Sequence, residues 1–191
     1  MKMDPQADSR TRILNAAAKL FYLQGFESVG LQKICAQALV SKSSFYHFFA
    51  SKDELAVAVV QAHWHSGKLM LEKLLASPLT PLQKIQAIFN NIFTMAETSC
   101  HDQGDIFGCP FGNLASELSN SNPALREQMQ LVFNYLTEIY TDLINQAKEQ
   151  GELSSTLDAG ESANALLLLM EGISVTSKVY NDPVKMRRNG E

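Results

Sequence analysis

The sequence has no long hydrophobic run. Its apolar stretches, Ala165 to Met170 among the longest, fall far short of the ~20 residues a membrane-spanning helix needs. The opening Met-Lys-Met-Asp-Pro-Gln has no apolar signal core behind it, so a cytoplasmic address is expected. Cysteine is scarce. Three thiols make no disulfide framework, which agrees with a reducing compartment. Strict apolar–polar alternation is missing, which argues against strands, and no internal repeat or low-complexity segment interrupts the chain. No nucleophile–base pair or phosphate-binding loop is visible, so an enzyme is not expected, and nothing calls for a cofactor. Metal ligation is poorly served too. Cys100, His101 and Cys109 do not have ligand spacing, and His63 and His65 sit about 200° apart on a helix, too far round to share an ion.

What remains is ordinary globular material: 191 residues, 46% hydrophobic and 19% charged, ample for a buried core. The net charge of −4 hides an asymmetry. Residues 1–52 carry seven Lys/Arg against three Asp/Glu, and residues 53–191 carry nine against seventeen, so a +4 head is joined to a −8 body. A small basic head on an acidic body suits a polyanion-binding module attached to a part with another task.

Period-3.6 patterning predicts an all-helical chain. A first helix from about Ser9 to Gln24 buries Ile13, Leu14, Ala17, Leu20 and Phe21 and stops at Gly25. A short second helix spans about Leu31–Ala38, and a third follows Ser41 as N-cap. Ser51 opens a fourth, reaching about Ala76, with Glu54 in the capping-box position. Thr80-Pro81 starts a fifth helix, expected to end near Ser99 before a loop over 100–108. A short helix to about Leu118 comes next. The stretch from Asn122-Pro123 to about Gln150 keeps apolar residues three or four apart, from Leu125 through Met129, Val132 and Leu136 to Ala147, a seam made for a partner helix. The last helix, Asp158 to about Tyr180, is apolar nearly all round at 166–170, which implies burial on two sides. Beyond Asn181 a frayed tail is expected.

Residues 39–55 carry the most information. Phe45, Phe48 and Phe49 fall at i, i+3 and i+4 and line one apolar stripe, while Lys42, Ser43, Tyr46 and His47 lie opposite. A helix anchored by aromatics and showing short polar groups with a cation suits the DNA major groove. The second and third helices are about four residues apart, as in a helix-turn-helix. Residues 11–55 resemble the N-terminal domain of the TetR family of transcriptional regulators. The likeness rests on Thr11-Arg12, on Leu20-Phe21 followed by Gly25-Phe26, and on Tyr46-His47-Phe48-Phe49 followed by Ser51-Lys52-Asp53-Glu54-Leu55.

That resemblance implies a helix-turn-helix DNA-binding domain over 1–52 and a helical regulatory and dimerisation domain over 53–191. It places Lys42, Ser43, Ser44, Tyr46 and His47 toward the groove, Lys52 and Gln32 on phosphates, and Arg12 as a lesser contact. It implies a homodimer built on the two last long helices, a palindromic operator in double-stranded DNA, and a small-molecule inducer that releases a repressor. Two positions depart from the family's pattern. Leu39 stands where a turn glycine is usual, so the turn is either strained by about 1–2 kcal/mol or shifted. Gly30 stands where Thr often caps the second helix, a loss of only a few tenths of a kcal/mol.

Candidate ligand-lining aromatics in the body are Trp64, Phe89, Phe93, Phe111 and Tyr135, though aromatics at helical spacing are more often plain core. The segment Gly108-Cys109-Pro110-Phe111-Gly112-Asn113 is similar to one in a TetR subgroup answering acrylate-like or electrophilic compounds. Cys109 precedes a helix, where a thiolate is favoured. An alternative to reversible induction is therefore an electrophile- or redox-sensing repressor switched at Cys109, with Cys100 as a resolving partner. A small residue closing a turn is the plainer reading of Cys109.

Overall fold

Asp8 opens the first helix by accepting the Thr11 amide at 2.7 Å, so α1 runs Ser9–Gln24 and ends at Gly25, whose φ of 78° permits the stop. A computed structural model describes residues 8–190; residues 1–7 of the expected N-terminal domain, and Glu191, lie outside the described residues. After α1 come α2 (Leu31–Ala38), α3 (Lys42–Phe48), α4 (Lys52–Leu75), α5 (Pro81–Gln103), α6 (Pro110–Leu118), α7 (Pro123–Glu149), α8 (Ala159–Tyr180) and α9 (Pro183–Gly190). All regular structure among the described residues is helical. No helix among them is long and apolar enough to cross a membrane.

The caps explain most boundaries. Ser41 accepts the Ser44 amide at 3.0 Å and starts α3. Ser51 accepts the Glu54 amide, and Glu54 reaches back to the Ala50 amide at 2.7 Å, one residue beyond the usual capping-box partner. Thr80 and Gln83 form a complete capping box on α5.

The chain divides into two packing units. One runs to His65 and takes in Pro110–Met129; the other holds Ser66–Cys109 and the chain from Gln130 onward. In the first, Ile13, Ala17 and Phe21 of α1 meet Ile34 of α2, Phe45 of α3, Leu55 and Val59 of α4, Leu114 and Leu118 of α6, and Leu125 of α7 in one core. The helix-turn-helix thus shares its core with the start of α4 and with a segment some sixty residues downstream, so packing does not divide at residue 52. In the second unit, Phe89 and Phe93 of α5, Tyr140 and Leu143 of α7, Met170 and Ile173 of α8, and Met186 of α9 form the core.

Leu39 sits in the left-handed region at φ 55°, ψ 47°, so the turn has not shifted. Its side chain is 76% exposed, so almost no burial offsets the strain. Leu39→Gly is expected to raise the thermal midpoint by roughly 2–4 °C, the backbone relief outweighing the added freedom of the unfolded chain. A midpoint equal to or below the parent's refutes that account.

Two expectations need correction. α5 continues through Cys100 and His101 to Gln103, and the stop is Gly104 at φ 82°, which donates to the Cys100 carbonyl. The expected frayed tail is helix α9. Asp182 Oδ1 accepts the Val184 and Lys185 amides at its start. Buried Met186 anchors it, and Arg187 pairs with Glu97 at 2.9 Å while lying over the Phe93 ring.

Candidate nucleic-acid interface

α3 shows two faces because its aromatics and polar groups are spaced for it. Phe45 is wholly buried and Phe49, just past the helix end, is 2% exposed, whereas Tyr46 is 58% exposed. Lys42, Ser43 and His47 are exposed with it, and Ser44 is half-buried, its amide held by Ser41. The Tyr46 ring stands edge-on to buried Phe45 at 5.4 Å and His47 edge-on to half-buried Phe48 at 4.8 Å, so both polar tips are aimed by neighbouring rings. The outward side offers an ammonium, hydroxyls, a phenol and an imidazole from one short helix. These groups can donate to phosphates and to the acceptors of base edges.

The remaining contacts expected from sequence are placed unevenly. Gln32 is exposed on α2. Beside it Lys33 is bonded to Gln24 at 2.6 Å. Arg12 bonds Ser9 through Nη2 at 3.1 Å, while its buried Nε has no partner. Lys52 is turned inward. Its ammonium donates to the carbonyls of Phe26 and Val29 at 3.0 and 3.1 Å and lies 3.9 Å from the Phe26 ring centroid. Two of its three donors are therefore spent inside the protein, because those loop carbonyls have no helical partner. Sequence spacing gave no reason to single out Arg10, which is exposed and lies over the Phe49 ring at 5.4 Å, a cation beside the end of α3.

The aromatics expected around a ligand divide into groups. Phe89 and Phe93 line a cleft of about 380 Å³ with Leu82, Ile85, Leu166 and Leu169, and with the amides of Gln83, Gln86 and Asn90. In the first unit, Trp64 meets Phe111 edge to face at 6.2 Å, and His63 stacks obliquely on Phe111 at 5.1 Å. The Tyr135 ring carries the Lys68 ammonium at 4.7 Å.

Cys109 is half-buried one residue before α6. Its thiol is hydrogen-bonded to Glu171 of α8, whose carboxyl burial holds above the usual carboxylate range. The other oxygen of that carboxyl, Oε1, is buried without a partner. Gly108 explains the close fit: at φ 76°, a Cβ there would lie 2.9 Å from Lys178 Cδ and 3.0 Å from the Ser174 carbonyl oxygen. Tyr140, in the same unit, donates to Met170 Sδ at 3.7 Å, and burial pushes its phenol well above the ordinary range. Cys100 and Cys109 are both free thiols. Among the described residues no group of three or more His, Cys, Asp or Glu is placed to hold a metal ion.

A helix-turn-helix whose second helix shows a polar, cation-bearing face, on an otherwise all-helical chain, defines a DNA-binding regulator. Residues 13–59 match the description "Bacterial regulatory proteins, tetR family" and residues 81–190 match "Tetracyclin repressor-like, C-terminal domain". The chain is 30% identical to the HTH-type transcriptional regulator LmrA of Bacillus subtilis over 175 residues, covering 90% of this chain and 88% of that protein. It is 25% identical to the HTH-type transcriptional repressor NemR of Escherichia coli, covering 94% and 88%. The regulatory protein TetR from Rhodobacter sphaeroides superposes with a TM-score of 0.83 at 26% identity, covering 95% and 94%. The chain belongs to the TetR family of bacterial transcriptional regulators.

Proposed function

We propose that this protein is a homodimeric repressor that binds a palindromic operator and is released by a small-molecule ligand. The outward face of α3 carries the reading, with Lys42, Ser43, Ser44, Tyr46 and His47 on the groove and Gln32 of α2 on a phosphate. A dimer sets two such helices about 34 Å apart, one turn of DNA. Selection of random duplexes by the purified protein should therefore recover an inverted repeat; recovery of single, unpaired half-sites counts against the dimeric reading.

The partner surface is supported by α8, where Leu168 is 72%, Val175 59% and Val179 77% exposed. The inducer is supported by the cleft at Phe89 and Phe93, whose apolar walls and amide rim suit a small amphiphilic molecule. Repression is supported by NemR, a transcriptional repressor similar to this chain along most of its length. α4 begins at Lys52 beside the recognition helix and runs unbroken to Leu75. A tilt of α4 would change the spacing of the two α3 helices, and a few ångströms suffice to prevent both from docking.

A second reading is favoured by the Cys109–Glu171 contact, which sets a thiol beside a buried carboxyl. In this reading the Cys109 sulfur adds to an activated carbon–carbon double bond. A sulfur–carbon bond forms, and the thiol proton ends on the neighbouring carbon. With N-ethylmaleimide as the electrophile, the parent protein should leave operator DNA while Cys109→Ser stays bound, and both should bind alike when untreated. Equal release of the two proteins removes this reading and leaves reversible induction.

A further inference from the structure

The Gly25–Val29 loop, which joins α1 to α2, is held by side chains from two other helices. From α4, Lys52 donates to the Phe26 and Val29 carbonyls at 3.0 and 3.1 Å and sits over the Phe26 ring. From α6, Glu117 Oε2 accepts the Glu27 amide at 3.1 Å. The same carboxylate fills the space beside Gly25, where a Cβ would lie 3.1 Å from Oε1 and φ is already +78°. Phe26 and Val29 are buried at 3% and 0% exposure, so the apolar side of the loop is fixed in the core. Within the backbone, Gly25 N–H donates to the Phe21 carbonyl and Val29 N–H to the Phe26 carbonyl; the Glu27 amide and the Phe26 and Val29 carbonyls take charged side-chain partners from Glu117 and Lys52.

The loop feeds directly into α2, and α2 packs on α3. Whatever fixes the loop therefore fixes the angle at which α3 is presented. We infer that Lys52 and Glu117 are positioning residues for operator binding, acting through the Gly25–Val29 loop rather than on DNA. The inference rests on the DNA-binding role of α3 and reassigns Lys52 from a phosphate contact to an internal clamp. It also gives α6, which starts one residue after Cys109, a direct hold on the DNA-binding head.

The sign of the charge makes the two roles separable. Glu117 is an anion, so loss of its charge alone strengthens binding to a polyanion; a positioning residue weakens binding when lost. Lys52 is a cation, so a phosphate contact reveals itself in the salt dependence. The experiment titrates the full-length dimer against an operator duplex recovered by selection, with fluorescence anisotropy read over a range of salt. Active concentration and thermal midpoint are measured for each variant.

For Lys52→Met, which keeps the apolar stem, affinity is expected to fall about tenfold with the slope of log K against log salt unchanged. A phosphate contact lowers that slope by about 0.9 per charge, close to two for a dimer, and that result overturns the assignment of Lys52. For Glu117→Ala, affinity is expected to fall about three- to tenfold, and Glu117→Gln, which keeps an acceptor without the charge, is expected to bind at least as well as the parent. An alanine variant that binds as tightly as the parent, or more tightly, overturns the assignment of Glu117. Should it not fold, Glu117→Asp is the second arm, with the charge kept and the reach lost. Weaker binding by the aspartate variant upholds the role, and parental affinity overturns it.

Discussion

Tyr46→Ala combined with His47→Ala is expected to abolish operator binding while leaving the fold and the dimer intact. Both side chains point outward from α3, and Tyr46 is 58% exposed, so little core is lost. A side chain reading a base edge is worth about 1–3 kcal/mol. A dimer loses four such groups, and even at the lower bound that amounts to about 4 kcal/mol, or roughly a thousandfold in affinity. The Tyr46 ring also packs edge-on against Phe45, a contact worth about 0.5–1.5 kcal/mol. Tyr46→Phe with native His47 is therefore the control, since it keeps the ring and removes only the hydroxyl. Footprinting checks the result, with sedimentation velocity run beside it. A protected operator at parental protein concentration would show that α3 is not the reading helix.

Much of this head is legible in the sequence because its signals are local. Phe45 and Phe49 at i and i+4, Ser41 as cap and Gly25 as stop are read within one helical turn, and each stands where the spacing requires. Leu39 is equally local: a non-glycine residue at a turn position forced a choice between strain and shift, and its left-handed backbone resolves that choice as strain. What stays hidden depends on partners distant in sequence. Lys52 reads as one more cation on a basic head until the carbonyls at 26 and 29 are seen beneath it. Glu117 meets Glu27 across 90 positions, and no periodicity encodes that.

The body shows the same division. Helix α8 is plain from its apolar stretch, but Cys100–Gln103 is polar and reads as loop, although the backbone continues as helix until Gly104 ends it. α9 has one buried apolar anchor, Met186, too little for a periodic signal. The five aromatics chosen for a ligand site share a residue type and little else. Phe89 with Phe93, and Trp64 with Phe111, come together because of how their helices pack. Cys109 was visible as a thiol before a helix; the Glu171 carboxyl that accompanies it, 62 positions on, was not.

Leu168→Glu combined with Val179→Glu is expected to give a folded monomer that no longer holds the operator. Leu168, Gly172, Val175 and Val179 recur at intervals of three or four along α8 and form one stripe. Three of them expose 59–77% of their surface in the single chain, and a Cβ added at Gly172 meets nothing within 4 Å. An apolar stripe with a small residue at its middle lets another helix approach closely, and a two-fold axis makes each residue serve twice. In the monomer the two glutamates face water and cost little. In the dimer they place four carboxylates in an apolar seam, at several kcal/mol for each one left unpaired. Dissociation at micromolar protein follows, and with it the loss of simultaneous docking on two half-sites, which lowers apparent affinity by about 10²–10⁴. Sedimentation velocity and footprinting on the same preparation separate this variant from the α3 double mutant, which stays dimeric yet leaves DNA unprotected. A glutamate variant that remains dimeric would move the partner surface away from this face of α8, toward the apolar positions of α7, where Leu131 is 60% exposed.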